Sequence, residues 1–242
     1  MRFSLDRWAA WAPGIVDQAS WLAWLASPSA VTLEDTPALS EMPAMMRRRV
    51  ERLGRMALQT AYWGIGDTTS CSIVFASRYG DVSRSVELLR YLAANEPLSP
   101  TSFSMSVHNA IGALFSIARG DTSAHAAIAA GSETVEAAFT EALGLLSDGA
   151  EAVLVVYYEE PLPEPHTKFS EQQDFPRAWA CRLRRSETAG ITLRARTSTC
   201  ATASHDANSI PTDLAALRFL LSQDTHYDHL AGSRTWHWQR HV

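Results

Sequence analysis

The sequence has few of the features that mark secreted, membrane-spanning or metal-binding proteins. Its three cysteines, Cys71, Cys181 and Cys200, are far apart and form no CxxC pair, so we expect neither a disulfide framework nor a zinc site. No apolar run is long enough to span a bilayer, and the first residues lack the continuous apolar segment of a signal peptide. We therefore expect a cytoplasmic protein that has no membrane partner, no metal and no cofactor.

Positive charge is not in excess either. Lys and Arg together number 21 against 26 Asp and Glu, which gives a formal net charge of -5. Nucleic-acid backbones are bound by concentrated positive charge, so this balance argues against nucleic acid as the main partner. The chain is 46% hydrophobic and 19% charged over 242 residues, which is the composition of a globular protein with a sizeable core.

Strand and helix patterns alternate through most of the chain and predict an α/β fold, a layered mixed sheet with helices on both faces. The predicted strands are 2–12, 71–77, 123–130, 152–158, 179–184 and 191–196. The predicted helices are 15–26, 45–63, 80–94, 104–119, 132–149 and 213–222. We interpret 28–43, 161–176 and 197–211 as loops, and the aromatic, His-rich tail to Val242 as surface or interface.

The turn Ala130-Gly131-Ser132 joins a small-residue strand to a helix, a place where many α/β enzymes hold a nucleophile. The G-x-S-x-G pattern needs glycine at 130 and 134, but the chain has Ala130 and Thr134. Ser132 is therefore better interpreted as the N-cap of the following helix. A hydrolase or transferase that uses Ser132 with His108 and an acid stays as the alternative.

Two other groups have the residue types of a chemical site. Cys71 and His108 offer a thiol and an imidazole, although nothing in their spacing requires them to meet. His226 with His229, and His237 with His241, are spaced as helical metal ligands, but no HExxH arrangement accompanies them. We predict no metal site.

The predicted helix 45–63 has two distinct faces. Its apolar stripe predicts a core-facing side. The opposite side is polar and is either a solvated face or a docking surface for an acidic partner. The apolar stripe consists of Met46, Val50, Leu53, Ala57 and Ala61, and the polar side of Arg48, Arg52, Arg55 and Gln59.

Five ordered segments carry a family resemblance over roughly residues 1–185. They read MPAMMRRRVERLGRMALQTAYW, CSIVFASRYGD, SVHNAIGALFSIARG, AHAAIAAGSET and GAEAVLVVYYEEP. In this order they resemble the N-terminal half of a β-ketoacyl-ACP synthase of the thiolase-like superfamily. They resemble more closely the short synthase homologues of aryl-polyene and related type II polyketide systems. The resemblance implies a thiolase-like half-fold over 1–200, followed by a C-terminal helix and tail over 201–242.

The same resemblance implies that the chain has lost the condensing chemistry. In catalytic members a cysteine ends the strand before the elbow helix, where the helix N-terminus lowers the thiol pKa. The matching position lies near 128–130 in this chain and holds no cysteine. The two catalytic histidines of the family lie in C-terminal glycine-rich loops, which are not found before Val242. We expect no catalytic residue and no enzyme activity of the chain alone.

A non-condensing relative implies a chain-length-factor-like subunit that forms a heterodimer with a complete ketosynthase. The interface strand is expected to comprise Ser123, Ala124, His125, Ala126, Ala127, Ile128, Ala129 and Ala130. Residues expected to line an acyl tunnel are Phe103, Met105, His108 and Phe115. Acyl carrier protein is expected to contact Arg47, Arg48, Arg52 and Arg55, and a carrier-protein-binding scaffold is a further alternative.

Overall fold

A computed structural model of the chain describes residues 1–32, 34–170, 174–197 and 210–242. The strands are β1 Arg2–Trp11, β2 Ser72–Ala76, β3 His125–Ile128, β4 Val153–Glu159, β5 Arg177–Ser186, β6 Gly190–Thr197, β7 His226–Ala231 and β8 Arg234–His241. The helices are α1 Gln18–Ala26, α2 Ala44–Arg47, α3 Arg52–Ile65, α4 Val82–Ala93, α5 Pro100–Met105, α6 Ala110–Arg119, α7 Thr134–Ser147 and α8 Thr212–Leu221.

The eight described strands form one mixed sheet in the order β3-β2-β4-β5-β1-β6-β8-β7. Strand β2 runs parallel to β3 and to β4, whereas every other neighbouring pair is antiparallel. Strands β1 and β6 are paired only at Phe3 and Ile191, so the β6-β8-β7 meander is joined to the rest of the sheet at one end. The predicted α/β fold with a mixed sheet is confirmed.

Helices cover both faces of the sheet, as the fold class requires. One core packs α7, α1 and α8 against the sheet, and the other packs α3 and α6 against the opposite face. Strand β4 lies between the two cores with all seven residues buried, which explains its nearly continuous apolar sequence. Helix α3 approaches closely at Gly64, where a β-carbon would come within 2.9 Å of Leu154 and Ala180.

Two of the predicted helices were too long. The predicted helix 45–63 is α2 and α3 with a break at 48–51, and the predicted helix 104–119 is α5 and α6 with a break at 106–109. Apolar periodicity continues across both breaks, so the pattern gives no sign of them. The second break is a turn that brings His108 to the end of β3, where its Nε2 lies 3.1 Å from the Ile128 carbonyl oxygen.

The polar side of the predicted helix 45–63 is covered by the segment 34–41. Gln59 is buried, its Oε1 accepts a hydrogen bond from the Leu39 N–H at 2.9 Å, and its Nε2 donates to Glu41. The side chain of Arg52 forms ion pairs with Glu34 and Glu160, each at 2.5 Å. The interpretation of this side as a fully solvated face was therefore wrong.

The C-terminal tail is structured. It contributes β7 and β8, and β8 pairs with β6 along the whole of β6. The boundary predicted at residue 200 stays a prediction, and the predicted loop 197–211 with Cys200 lies almost entirely outside the described residues. Among the described residues, no helix combines the length and apolar character needed to cross a membrane.

Candidate functional site

The carboxyl ends of the parallel strands β2, β3 and β4 meet at one edge of the sheet, where α/β proteins commonly bind ligands. At this edge β3 ends at Ile128, and the chain turns through Gly131, which has a φ of 58°, into α7. The Thr134 hydroxyl accepts a hydrogen bond from the Ala130 N–H at 3.0 Å and donates to the Gly131 carbonyl at 2.7 Å. Thr134 therefore holds the elbow in place.

Ser132 does not act as the predicted N-cap. It lies in a short 3₁₀ turn, Gly131–Glu133, and the residue that precedes α7 is Glu133. Within the described residues the Ser132 side chain makes no hydrogen bond, so neither His108 nor a carboxylate is positioned to activate it. The Nε2 atom of His108 is instead within hydrogen-bonding distance of the Ile128 carbonyl oxygen. Its Nδ1 atom packs against Gly80, where a β-carbon would lie only 2.7 Å from that nitrogen.

Cys71 and His108 are not brought together. Cys71 is buried immediately before β2, with its Sγ near the carbonyls of Ser72 and Ala152, whereas His108 lies beside Gly80, beyond the other end of β2. Burial raises the pKa of the Cys71 thiol. A neutral thiol is a poor nucleophile, and Cys71 packs as part of the buried core.

A buried carboxyl group at the carboxyl ends of the parallel strands was missed by sequence reasoning. Glu159, at the end of β4, is 2% exposed and accepts a hydrogen bond from the Arg78 N–H at 2.8 Å. The hydroxyls of Ser77 and Tyr157 each lie 3.4 Å from its oxygens. Burial raises the pKa of Glu159 to about 8, against the opposing effects of the Arg177 charge and the Arg78 N–H bond. The available signal was an acidic residue directly after the most apolar strand.

Next to Glu159, the guanidinium of Arg177 is completely buried and binds Asp213 of α8. The two hydrogen bonds are 3.0 Å from Nε to Oδ2 and 2.7 Å from Nη2 to Oδ1, a bidentate geometry. Trp179 donates its Nε1–H to the same carboxylate at 3.1 Å, and Asp174 binds Arg177 Nη1 at 3.0 Å. These contacts fix the C-terminal helix α8 to the sheet.

The β7-β8 hairpin covers the first turn of α7. Glu133 binds Arg234 at 2.5 Å and Trp236 Nε1 at 3.0 Å, while Glu136 Oε1 lies 2.8 Å from His229 Nδ1. His226 and His229 have the spacing of metal ligands on a helix, but both lie on strand β7, where residues three apart point to opposite faces. His237 and His241 lie on β8, and His237 Nδ1 lies 2.8 Å from Asp228.

The predicted interface strand is shorter than expected but lies at an open edge of the sheet. Of 123–130, only His125–Ile128 forms a strand, and Ser123, Ala124, Ala129 and Ala130 flank it. Among the described strands, β2 is the one neighbour of β3. The Ile73 and Ser77 N–H groups donate hydrogen bonds to the carbonyls of Ala124 and Ile128. In a parallel pair every second residue directs its N–H and C=O toward the neighbouring strand. The N–H and C=O groups of His125 and Ala127 therefore point away from β2.

Exposed apolar side chains lie on the helices that precede β3. Ile117 on α6 is 68% exposed and Phe103 on α5 is 62% exposed, and Val107 lies between these helices. On α4, Leu89 and Leu92 are exposed to a similar degree. Phe115, by contrast, is buried against Phe75 and Tyr62 in the core that contains α3.

The four arginines predicted to contact carrier protein differ in their surroundings. Arg52 is held by Glu34 and Glu160, and Arg55 donates to the carbonyls of Val50, Arg47 and Pro37. Arg47 donates to the Leu39 carbonyl at 3.1 Å. Arg48 is exposed and forms no side-chain hydrogen bond or ion pair within the described part of the chain. Those same described residues contain no cluster of three or more His, Cys, Asp or Glu side chains that could hold a metal ion.

Comparison with known proteins identifies relatives of this arrangement. The sequence model described as "Beta-ketoacyl synthase, N-terminal domain" matches residues 21–239. A structure of the ketosynthase ApeO in complex with its chain length factor ApeC, from Xenorhabdus doucetiae, contains a chain that is 27% identical with a TM-score of 0.84. That match covers 99% of this chain and 100% of the other. Among curated proteins, none matches the sequence.

Two more distant solved structures share the fold. The ishigamide ketosynthase/chain length factor is 15% identical with a TM-score of 0.65, and the match covers 82% of this chain and 68% of the other. In the AntDE:AntF complex, a type II polyketide synthase acyl-carrier protein with its ketosynthase, the matching chain is 14% identical with a TM-score of 0.60. This match covers 79% of this chain and 69% of the other.

Proposed function

The chain belongs to the family of β-ketoacyl synthase N-terminal domains, and we propose that it is a non-catalytic, chain-length-factor-like subunit of a ketosynthase heterodimer. The observation that carries the proposal is an elbow of the family's type without a nucleophile. Strand β3 leads through Gly131 into α7, yet 128–130 holds no cysteine and Ser132 has no base within hydrogen-bonding distance among the described residues. An acyl-enzyme cannot form at such an elbow.

The solved relatives support pairing with a ketosynthase. The 27% identical chain belongs to a complex between a ketosynthase and a chain length factor, and it matches along its whole length. Within the described residues, the N–H and C=O groups of His125 and Ala127 on β3 have no partner strand, and the adjoining helix α6 carries the exposed Ile117. An open strand edge next to apolar helices is the combination that a second subunit can cover by strand pairing and apolar burial.

The partner strand is proposed to add to β3 antiparallel or parallel, with the small side chains of Ala126 and Ala127 allowing close approach. Ile128 and the preceding helix α5 would then lie at the boundary between the subunits. Phe103, Met105 and His108 are proposed to border the partner's acyl tunnel from there, and Phe115 would support them from the core. Bulk at these positions would limit the length of the product.

Contact with acyl carrier protein is the second part of the proposal. A related fold is found in complex with a type II polyketide acyl-carrier protein. In this chain the proposed contact comprises Arg47, Arg48, Arg52 and Arg55, of which Arg48 is exposed and has no partner among the described residues. The other three are held by their own chain, so Arg48 is expected to contribute most of the attraction.

Co-expression with a complete ketosynthase from the same organism tests the pairing. Wild type is expected to co-purify with the synthase as a stable heterodimer. Ala127→Pro removes the N–H that faces the free edge and keeps the bonds between β3 and β2, because proline is tolerated on the outer side of an edge strand. This variant is expected to stay folded and to lose most of the complex. A wild-type chain that never binds the synthase would refute the proposal.

A further inference from the structure

The β6-β8-β7 meander lies at the opposite end of the sheet from β3, and its outer face is the one directed away from α7. Strand registers place three rows of side chains on this face. The rows are Thr192, Gln239 and His226; Arg194, His237 and Asp228; and Arg196, Thr235 and Leu230. The other face of the same strands carries Trp236, Trp238 and His229, which pack toward α7.

The charge of this face is opposite to that of the whole protein. The chain has a net charge of -5, whereas the outer face carries Arg194, Arg196 and the imidazoles of His226, His237 and His241. Asp228 is the one carboxylate in the three rows, and it is already bound by His237 at 2.8 Å. The nearest further acidic side chain along these strands is Asp224, two residues before β7, and its Oδ2 accepts a hydrogen bond from the Ser222 hydroxyl at 2.8 Å.

The two arginines on β6 have charge available for a partner. Both are exposed, and within the described part of the chain neither forms an ion pair or a side-chain hydrogen bond. This distinguishes them from Arg52, Arg177 and Arg182, whose guanidinium groups are each bound by carboxylates of the same chain. Two exposed guanidinium groups on one face of a strand, two residues apart, are suited to carboxylates presented at a similar spacing.

We propose that the outer face of the β6-β8-β7 meander docks an acidic protein through Arg194 and Arg196. Charge complementarity identifies the occupant as a protein surface rich in Asp and Glu, and the polar side chains Thr192, Thr235 and Gln239 supply hydrogen bonds around the arginines. Because β3 and β7 lie at opposite ends of the sheet, this partner and a ketosynthase can bind at the same time. The proposal does not depend on pairing through β3.

Binding of poly-L-glutamate to the purified full-length chain tests the proposal, with a DNA duplex of equal charge as the competing probe. Fluorescence anisotropy at low and moderate salt is expected to show binding of the polypeptide that weakens as salt is added. The double variant Arg194→Gln/Arg196→Gln is expected to bind at least about tenfold more weakly, since each exposed charge contributes to attraction. Unchanged urea midpoints would establish that the variant is folded.

The matched control is Arg185→Gln/Arg218→Gln, two exposed arginines on β5 and α8 that lie outside the meander. This control is expected to bind poly-L-glutamate as wild type does. Equal binding by wild type and by Arg194→Gln/Arg196→Gln would overturn the proposal, as would an absence of binding or tighter binding of the DNA duplex. Co-purification with the ketosynthase is expected to be unaffected in both variants, so failure of this proposal and failure of the heterodimer are distinguishable.

Discussion

Glu136 and His229 meet inside the protein, with 2.8 Å between Oε1 of the first and Nδ1 of the second. The two residues are 93 positions apart, and both are buried, at 1% and 8% exposure. Trp238 Nε1 lies 3.4 Å from the same oxygen, while Glu136 Oε2 has no hydrogen-bond partner among the described residues. The first turn of α7, which follows the elbow, therefore depends on the C-terminal hairpin.

Removal of the imidazole is expected to destabilise the protein. His229→Ala leaves the buried side chain of Glu136 with only a long contact to Trp238, and a buried polar group left without its hydrogen-bond partner costs about 1–3 kcal/mol. Urea unfolding monitored by tryptophan fluorescence measures the change. His226→Ala, on the exposed face of the same strand, is the control and is expected to change stability by less than about 0.5 kcal/mol. Equal effects of the two variants would contradict the role of His229.

The hairpin is also where sequence reasoning failed most. Strands β1, β2, β4, β5 and β6 were predicted close to their observed bounds, because their apolar residues either alternate or run continuously. Strands β7 and β8 place His229 and Arg240 on the inner face, and polar residues there hide the alternation. His229 is satisfied by Glu136 and Arg240 by backbone carbonyls of Phe219 and Leu220, contacts that no local pattern predicts.

The candidate site was predicted in part. The elbow at Ala130-Gly131-Ser132 is where the sequence indicated, since small residues, a glycine and a helix pattern occur in order there. The cap was assigned to Ser132 because serine is a common cap, but Thr134 reaches back over the elbow instead. The cluster of Glu159, Arg177 and Asp213 could not be predicted, because it joins three segments that only the sheet order brings together.

The buried ion pair of Arg177 and Asp213 predicts a second large stability effect. Asp213→Ala would leave the fully buried guanidinium with Asp174 and the Phe175 carbonyl, and it would remove the acceptor of the Trp179 Nε1–H. A loss of about 3–5 kcal/mol is expected from such a broken pair. Asp148→Ala, an exposed carboxylate at the end of α7, is the control. Thermal unfolding of both variants checks the prediction, and similar Tm values for the two would contradict it.

A charged substitution on the exposed apolar surface of α6 is expected to weaken binding to the ketosynthase without destabilising the isolated chain. Ile117→Asp places a charge on a residue that is 68% exposed, so the isolated chain is expected to keep its stability within about 0.5 kcal/mol. In a heterodimer the same charge would be desolvated, and affinity for the ketosynthase is expected to fall at least about tenfold. Leu22→Asp, on α1 with 47% exposure, makes the same change far from β3. Titration calorimetry with the synthase measures both, and equal affinities would place the interface elsewhere.

The raised pKa of Glu159 is expected to make the free energy of unfolding depend on pH. Burial raises its pKa from 4.5 to about 8, so between these values the folded protein keeps a proton that the unfolded chain has released. Where the folded state binds more protons, stability falls as pH rises, by about 1.4 kcal/mol per pH unit for one group. Wild type is thus expected to lose stability between pH 5.5 and pH 8.5 through this residue.

Glu159→Gln keeps an amide oxygen for the Arg78 N–H but has no proton to release, so its stability relative to wild type is expected to increase by a few kcal/mol over that interval. Urea unfolding at both pH values measures the difference, with the exposed Glu96→Gln as the control, and parallel pH profiles for Glu159→Gln and wild type would show that the carboxyl is already ionised in the folded protein.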